Sequence, residues 1–141
     1  MTIAELASGI AAVKGVLPRP AATAAEVEAT EARLGIAIPA ELRQFVAVMN
    51  GSDGSTPPEE SWTEFWPLER WRRVGSTGVF ADYSDAIIFA DYGQQSWYYA
   101  FEPARDGKVR VLKIAGPDGV MADTLGEFLA AVLRDDRKLY S

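Results

Sequence analysis

The chain contains no cysteine and no histidine. That excludes disulfides, thiolate and imidazole metal sites, and every catalytic arrangement that takes His or Cys as base or nucleophile. Glycine-rich phosphate loops are missing too, with neither a P-loop nor a GxGxxG pattern, and no run matches the twelve-residue calcium loop with its terminal Glu. Neither cofactor nor metal is expected. No stretch approaches the ~18 apolar residues of a membrane span. The N-terminus carries Glu5 early and Lys14 as its one base before Val16, which is not a secretion signal. These absences predict a cytoplasmic protein. What is present, 141 residues of which 48% are hydrophobic and 24% charged, suffices for one globular domain with its own core.

Basic residues are scarce in one region. Residues 50 to 102 hold nine acids against Arg70, Arg72 and Arg73, while the remainder of the chain is balanced, so the net charge of −6 belongs to the middle segment. Such a charge keeps a small domain soluble. It also disfavours nucleic acid and anionic membrane as partners and favours a basic protein.

Apolar spacing divides the chain into helices, then strands, then a helix. Ile3, Leu6, Ile10, Val13 and Leu17 recur at helical steps behind a capping box of Thr2 and Glu5, and Pro18 and Pro20 end that segment. Residues 1 to 20 thus read as an N-terminal helix and linker, ahead of a domain over 21 to 141. A second capping box, Thr23 with Glu26, opens a helix that Gly35 closes, and Pro39 suits the first turn of a third, with Leu42, Phe45, Val46 and Met49 on one stripe. Residues 51 to 61, rich in Gly, Ser and Pro, predict an exposed loop. Phe65 and Trp66 before Pro67 predict an edge strand, with one or two helical turns following over 68 to 74. The apolar run Ala86 to Ala90, the aromatic run Ser96 to Phe101 and the segment Lys108 to Ile114 predict an antiparallel meander; the switch of apolar face at Leu112 predicts a bulge or burial on both sides. Thr124 and Glu127 cap a final helix striped by Leu125, Phe128, Leu129, Val132 and Leu133. The fold class is therefore α+β, a single domain with an antiparallel meander packed by N-terminal helices and a C-terminal helix, covered mainly on one face.

Chemistry has few candidates here. Asp82, Asp85 and Asp91 flank aromatic strand ends and could form the paired carboxylates of a glycosidase if 5 to 10 Å apart, although Asp and Tyr at such positions are ordinary turn formers. Phe80 to Tyr83 is echoed as Phe89 to Tyr92, which would mark two strands ending in an acid and an aromatic at one rim. The cluster Arg70, Trp71, Arg72, Arg73 reads as a solvated helix face. Asn50, Gly51, Ser52 fits the glycosylation pattern but reads as a turn. Alternation puts Trp97 and Tyr99 opposite Tyr98, one set in the core and the other partly exposed.

In Thr23 to Ser52, the sequence Glu31 to Ile36, then Ile38 to Leu42, Phe45, Asn50 and Gly51 resembles the N-terminal signature of the SUKH superfamily, named partly for the yeast Smi/Knr cell-wall regulators. Trp66, Pro67, Leu68 and Trp71, then Phe89 to Tyr92, Ser96, Trp97, Tyr99 and Ala100, then Ala122 to Leu125 and Glu127 to Leu129 follow in that family's order, covering about residues 23 to 135. Gly93, Gln94 and Gln95 depart from it, standing where apolar residues are expected. The resemblance implies an α+β domain without catalytic residues, whose bacterial relatives include immunity proteins that neutralise toxins, often nucleases. Gly35, Pro39, Asn50, Gly51 and Ala100 carry over as fold determinants. The expectation is a non-enzymatic protein that binds a cognate toxin or another basic protein, no nucleic acid and no membrane. Its partner-binding residues are Asp53, Glu59, Glu60, Glu64, Asp82, Asp85 and Asp91, with Trp62 and Tyr92 as apolar anchors. The alternatives are an intracellular regulatory scaffold for an endogenous protein, and a carboxylate-dependent hydrolase.

Overall fold

The computed structural model describes residues 1–13, 16–55, 63–77, 83–93, 96–103, 109–115, 119–134, 136 and 139. Three of its four described helices begin where the sequence offers capping side chains. In α1 (Ile3–Val13) the Glu5 N–H donates to Thr2 Oγ1 at 3.0 Å and the Thr2 N–H returns to Glu5 Oε1 at 3.1 Å. Thr23 and Glu26 repeat the pattern at α2 (Ala24–Leu34), which Gly35 ends in the left-handed region at φ 68°. At α3 (Ala40–Val46) Pro39 occupies the N-cap, and the helix stops at Val46 while Met49 is buried in the turn beyond it. The Glu127 N–H donates to Thr124 Oγ1 at the start of α4 (Leu125–Arg134), but the return bond to Glu127 comes from the Asp123 N–H. Glu41 of α3 accepts from the first two amides of α4, Leu125 and Gly126.

Between α1 and α2 the structure corrects the sequence reading. The stripe does not continue to Leu17. Val16–Pro18 is a strand, β1, paired antiparallel with β2 (Ser52–Ser55), which the loop assigned to residues 51 to 61 had hidden. Ser-Asp-Gly-Ser has no strand propensity of its own. The pairing is tertiary, continued by the Arg19 N–H to the Gly51 carbonyl and the Asn50 N–H to the Pro20 carbonyl.

The main sheet is wholly antiparallel. It comprises β3 (Thr63–Phe65), β4 (Arg72–Arg73), β5 (Ile87–Tyr92), β6 (Trp97–Pro103), β7 (Val109–Ile114) and β8 (Gly119–Ala122) in the order β3-β5-β6-β7-β8, with β4 also paired to β5. Phe65 thus lies in an edge strand, as proline two residues on requires. The helical segment expected over 68 to 74 is two 3-10 turns, Leu68–Arg70 and Val74–Thr77, with β4 between them. Register shifts occur at Ile88/Ala90 in β5 and at Val111/Leu112 in β7. The second is the bulge expected at Leu112, and β7 is buried on both sides from Val111 to Ile114.

On one face, Phe89, Phe101 and Tyr99 pack their rings on Trp71 and on Phe128 of α4. The opposite face is also buried at Ile88, Ala100, Leu112 and Ile114. Ile3, Leu6, Ala7 and Ile10 of α1 belong to the same core, so the first helix is docked.

Asn50 and Gly51 join the halves of the molecule. Asn50 is buried; its Oδ1 accepts the Leu68 N–H at 2.8 Å and its Nδ2 donates to Glu26 at 3.2 Å. Arg33 of α2 donates to the carbonyls of Leu68 and Trp71, both at 2.8 Å. These contacts fix the segment from Trp66 to Trp71, on which the candidate site is built.

Candidate partner-binding surface

Pairing of β3 with β5 sets Glu64 opposite Asp91 and Thr63 opposite Tyr92. Alternation then sends Glu64 and Asp91 to one face and Tyr92 to the other. Trp66 follows β3, donates its backbone N–H to the Phe89 carbonyl at 2.8 Å, and lies with its ring on the Asp91 face. The indole N–H donates to Asp91 Oδ2 at 2.7 Å, and the Trp66 carbonyl accepts from the Trp71 indole at 3.0 Å. Tyr98 meets the ring edge-on at 6.0 Å. Two guanidinium groups cover it, Arg70 at 4.3 Å and Arg72 at 5.3 Å from the centroid.

The carboxylates here do not share one environment. Burial raises the Glu64 carboxyl above its ordinary range, the Asp91 charge adds to this, and Arg70, bridged at 3.6 Å, opposes it. Asp53 in β2 is exposed and close enough to Glu64 to add to that repulsion. Asp91 is only 1% exposed. Its expected place on the binding surface is therefore corrected: burial beneath Trp66 makes it a structural acceptor.

The other expected site residues scatter. Asp85 is exposed at the far end of β5, roughly 15–20 Å from Asp91 at 3.3 Å per residue. Such a separation removes Asp85 and Asp91 as the carboxylate pair of a glycosidase. Tyr92 is half-buried and stacked on Trp97, with centroids 4.4 Å apart and planes 9° from parallel. Glu59, Glu60, Trp62 and Asp82 lie outside the described residues, as does most of the first copy of the Phe-Ala-Asp-Tyr echo. The alternation of the aromatic run holds: the Trp97 indole donates to the Tyr99 hydroxyl at 3.1 Å on one face, and Tyr98 stands on the other. Burial raises the Tyr99 hydroxyl and lowers the Lys113 ammonium, which lies 5.1 Å over Trp97.

The arginine cluster is not the solvated helix face that the sequence suggested. Trp71 enters the core, Arg73 donates to the Leu34 carbonyl at 2.6 Å, and only Arg70 and Arg72 reach the Trp66 platform. The signal that would have separated them is a two-residue strand, in which Arg72 and Arg73 take opposite faces. A groove of about 220 Å³ between α2 and the first 3-10 turn, lined by Glu26, Ala29, Thr30, Arg33, Leu68 and Glu69, includes none of the expected site residues.

Among the described residues, no group of three or more Asp and Glu side chains could hold a metal ion, and no helix is long and apolar enough to cross a membrane. What the arrangement offers is a rigid aromatic platform with charges of both signs at its rim. The sequence model of the SMI1 / KNR4 family (SUKH-1) matches residues 21–131, more than half of the chain. No curated protein matches it.

Proposed function

Because the chain belongs to the SMI1/KNR4 family (SUKH-1), we propose that it is an immunity protein, occluding a basic toxin domain through its acidic middle segment. Membership supports a protein-binding, non-catalytic domain at the level of the family. The observation that carries the finer reading is the charge asymmetry: all of the net −6 arises within residues 50 to 102, where Asp53 and Asp85 are exposed and Glu64 is partly so. Nuclease active sites are basic because they hold phosphates. A complementary acidic surface speeds encounter with such a partner and suppresses wrong ones. Glu59, Glu60 and Asp82 contribute to the same charge. The working location is the cytoplasm, where a toxin's producer must protect itself.

The test is affinity capture of the tagged protein from its own cells and from cells expressing neighbouring open reading frames, read by mass spectrometry. Recovery of a basic polypeptide whose growth inhibition this protein abolishes is the expected result. Recovery of an endogenous housekeeping protein alone would overturn immunity in favour of a regulatory scaffold. With a partner in hand, charge reversal at Asp53 and Asp85 should slow association at low salt; unchanged kinetics would sink that surface.

A further inference from the structure

We propose that Arg70 and Arg72, held against Trp66, form a carboxylate-binding site that receives an acidic side chain of a partner protein. The inference concerns an anion, not the cationic partner surface discussed above, and it holds whether or not that partner is a toxin.

Three observations carry it. The first is preorganisation. Trp66 is 3% exposed, its indole N–H and backbone N–H are bonded to β5 and its carbonyl to the Trp71 indole, so the platform is fixed before any partner arrives. Arginines stacked on a fixed ring have already given up much of the side-chain freedom that binding would otherwise remove. The second is unspent charge. Arg72 is exposed, and among the described residues no carboxylate pairs with its side chain, whose guanidinium lies over the ring. Among the described residues Arg70 has a single bridge, to Glu64 at 3.6 Å, with both side chains more than one third exposed, an arrangement that solvent largely screens and a second carboxylate can exchange with. Both guanidinium groups lie within 5.3 Å of one ring centroid, so they repel each other and an anion drawn to either is attracted by both.

The third observation selects the ligand. Glu64, Asp91 and Asp53 lie around the platform, in a chain of net charge −6. That field repels a phosphate backbone, whose charges cannot be spaced to avoid it. A lone Asp or Glu on an otherwise basic or neutral partner surface fits instead, its carboxylate on the arginines and its basic neighbours on Asp53 and Glu64. Arginine and tryptophan are among the residues that most often anchor interface hot spots. Opposite charges alternating at the rim would fix the partner's register.

The test is titration of ¹⁵N-labelled protein at low ionic strength with the N-acetylated, C-terminally amidated peptide Lys-Gly-Glu-Gly-Lys, with the same peptide carrying Gln for Glu, and separately with inorganic phosphate, following the Trp66 indole and the arginine Nε resonances. The Glu peptide is expected to shift the Trp66, Arg70 and Arg72 signals saturably. The double variant Arg70→Gln/Arg72→Gln should bind about ten-fold more weakly, the loss of one charge-assisted pair. Arg72→Lys, which keeps the charge and the cover over the ring but not the planar fork, should fall between. Shifts that do not saturate, or affinity unchanged in the double variant while its indole signal stays native, would overturn the site. Tighter binding of phosphate than of the Glu peptide, or equal binding of its Gln counterpart, would overturn the choice of ligand.

Discussion

The indole N–H of Trp66 and the carboxylate of Asp91, 25 residues apart in sequence, meet at 2.7 Å, with Trp66 3% and Asp91 1% exposed. A buried carboxylate persists only where donors meet it, and a buried indole N–H equally needs its acceptor. Asp91→Ala leaves the Trp66 N–H without its acceptor and should destabilise the fold by about 2–4 kcal/mol in urea denaturation. Asp91→Asn keeps an acceptor oxygen and should lose less than half as much. Equal losses in the two variants would show that the charge, and not the indole bond, is what the site requires.

Gly51 and Gly35 both have positive φ, 82° and 68°, but their surroundings differ. A Cβ on Gly51 would stand 2.5 Å from the Pro67 nitrogen and 2.7 Å from the Trp66 carbonyl carbon, whereas one on Gly35 meets nothing within 4 Å. Gly51→Ala adds a backbone collision to the left-handed strain and should cost over ~3 kcal/mol or prevent folding, while Gly35→Ala should cost about 1 kcal/mol. Thermal unfolding of the pair checks this; similar melting temperatures would mean that the segment from Phe65 to Pro67 can move aside.

The physical causes of these features explain which of them could be read from sequence. The caps at Thr2, Thr23 and Thr124 are local, so spacing alone finds them, although only the first two close as reciprocal boxes. The bulge at Leu112 shows because it reverses a visible alternation. The shift at Ile88/Ala90 does not, because Ala86 to Ala90 is apolar on both faces and conceals its phase. Strand β2 is illegible for another reason: Ser52–Ser55 is extended because β1 lies beside it and Ser52 Oγ accepts the Phe65 N–H at 3.1 Å, both long-range facts. In the site, the acids were visible as charge. Sequence could not tell exposed Asp53 from buried Asp91, since that depends on where Trp66 arrives.

Leu17 shares the helical spacing of Ile3, Leu6 and Ile10, yet the chain leaves the helix at Val13 and Leu17 ends 49% exposed in β1. Ile10 is wholly buried, on a helix that packs against α3 and α4. Ile10→Ala should therefore cost about 2–4 kcal/mol through the lost contacts and the cavity, and Leu17→Ala under ~0.5 kcal/mol. Chemical denaturation distinguishes them; equal small effects would mean that α1 adds little to the core.

Acid titration should separate two classes of glutamate. The Glu31 carboxyl lies below its ordinary value of 4.5 because the Ile38 N–H donates to it and Arg43 reinforces that bond. Its contribution is present above pH 4.5 and is lost as pH falls through the depressed folded value. Glu64 behaves oppositely. Burial and Asp91 raise its folded pKa, so its charged form weighs against folding at neutral pH, and that penalty fades as pH falls through the raised value toward 4.5. Glu64→Gln should accordingly be more stable than the parent at pH 7, by less than ~1 kcal/mol because the side chain is over one third exposed and its Arg70 bridge is lost. The advantage should vanish below pH 4.5. Glu31→Gln should be less stable at pH 7, with the difference closing only at more acidic pH. Urea denaturation at pH 7, 5.5, 4 and 3 reads both curves, and a Glu64→Gln variant that is less stable at pH 7 would show that the Arg70 bridge outweighs burial and the Asp91 charge.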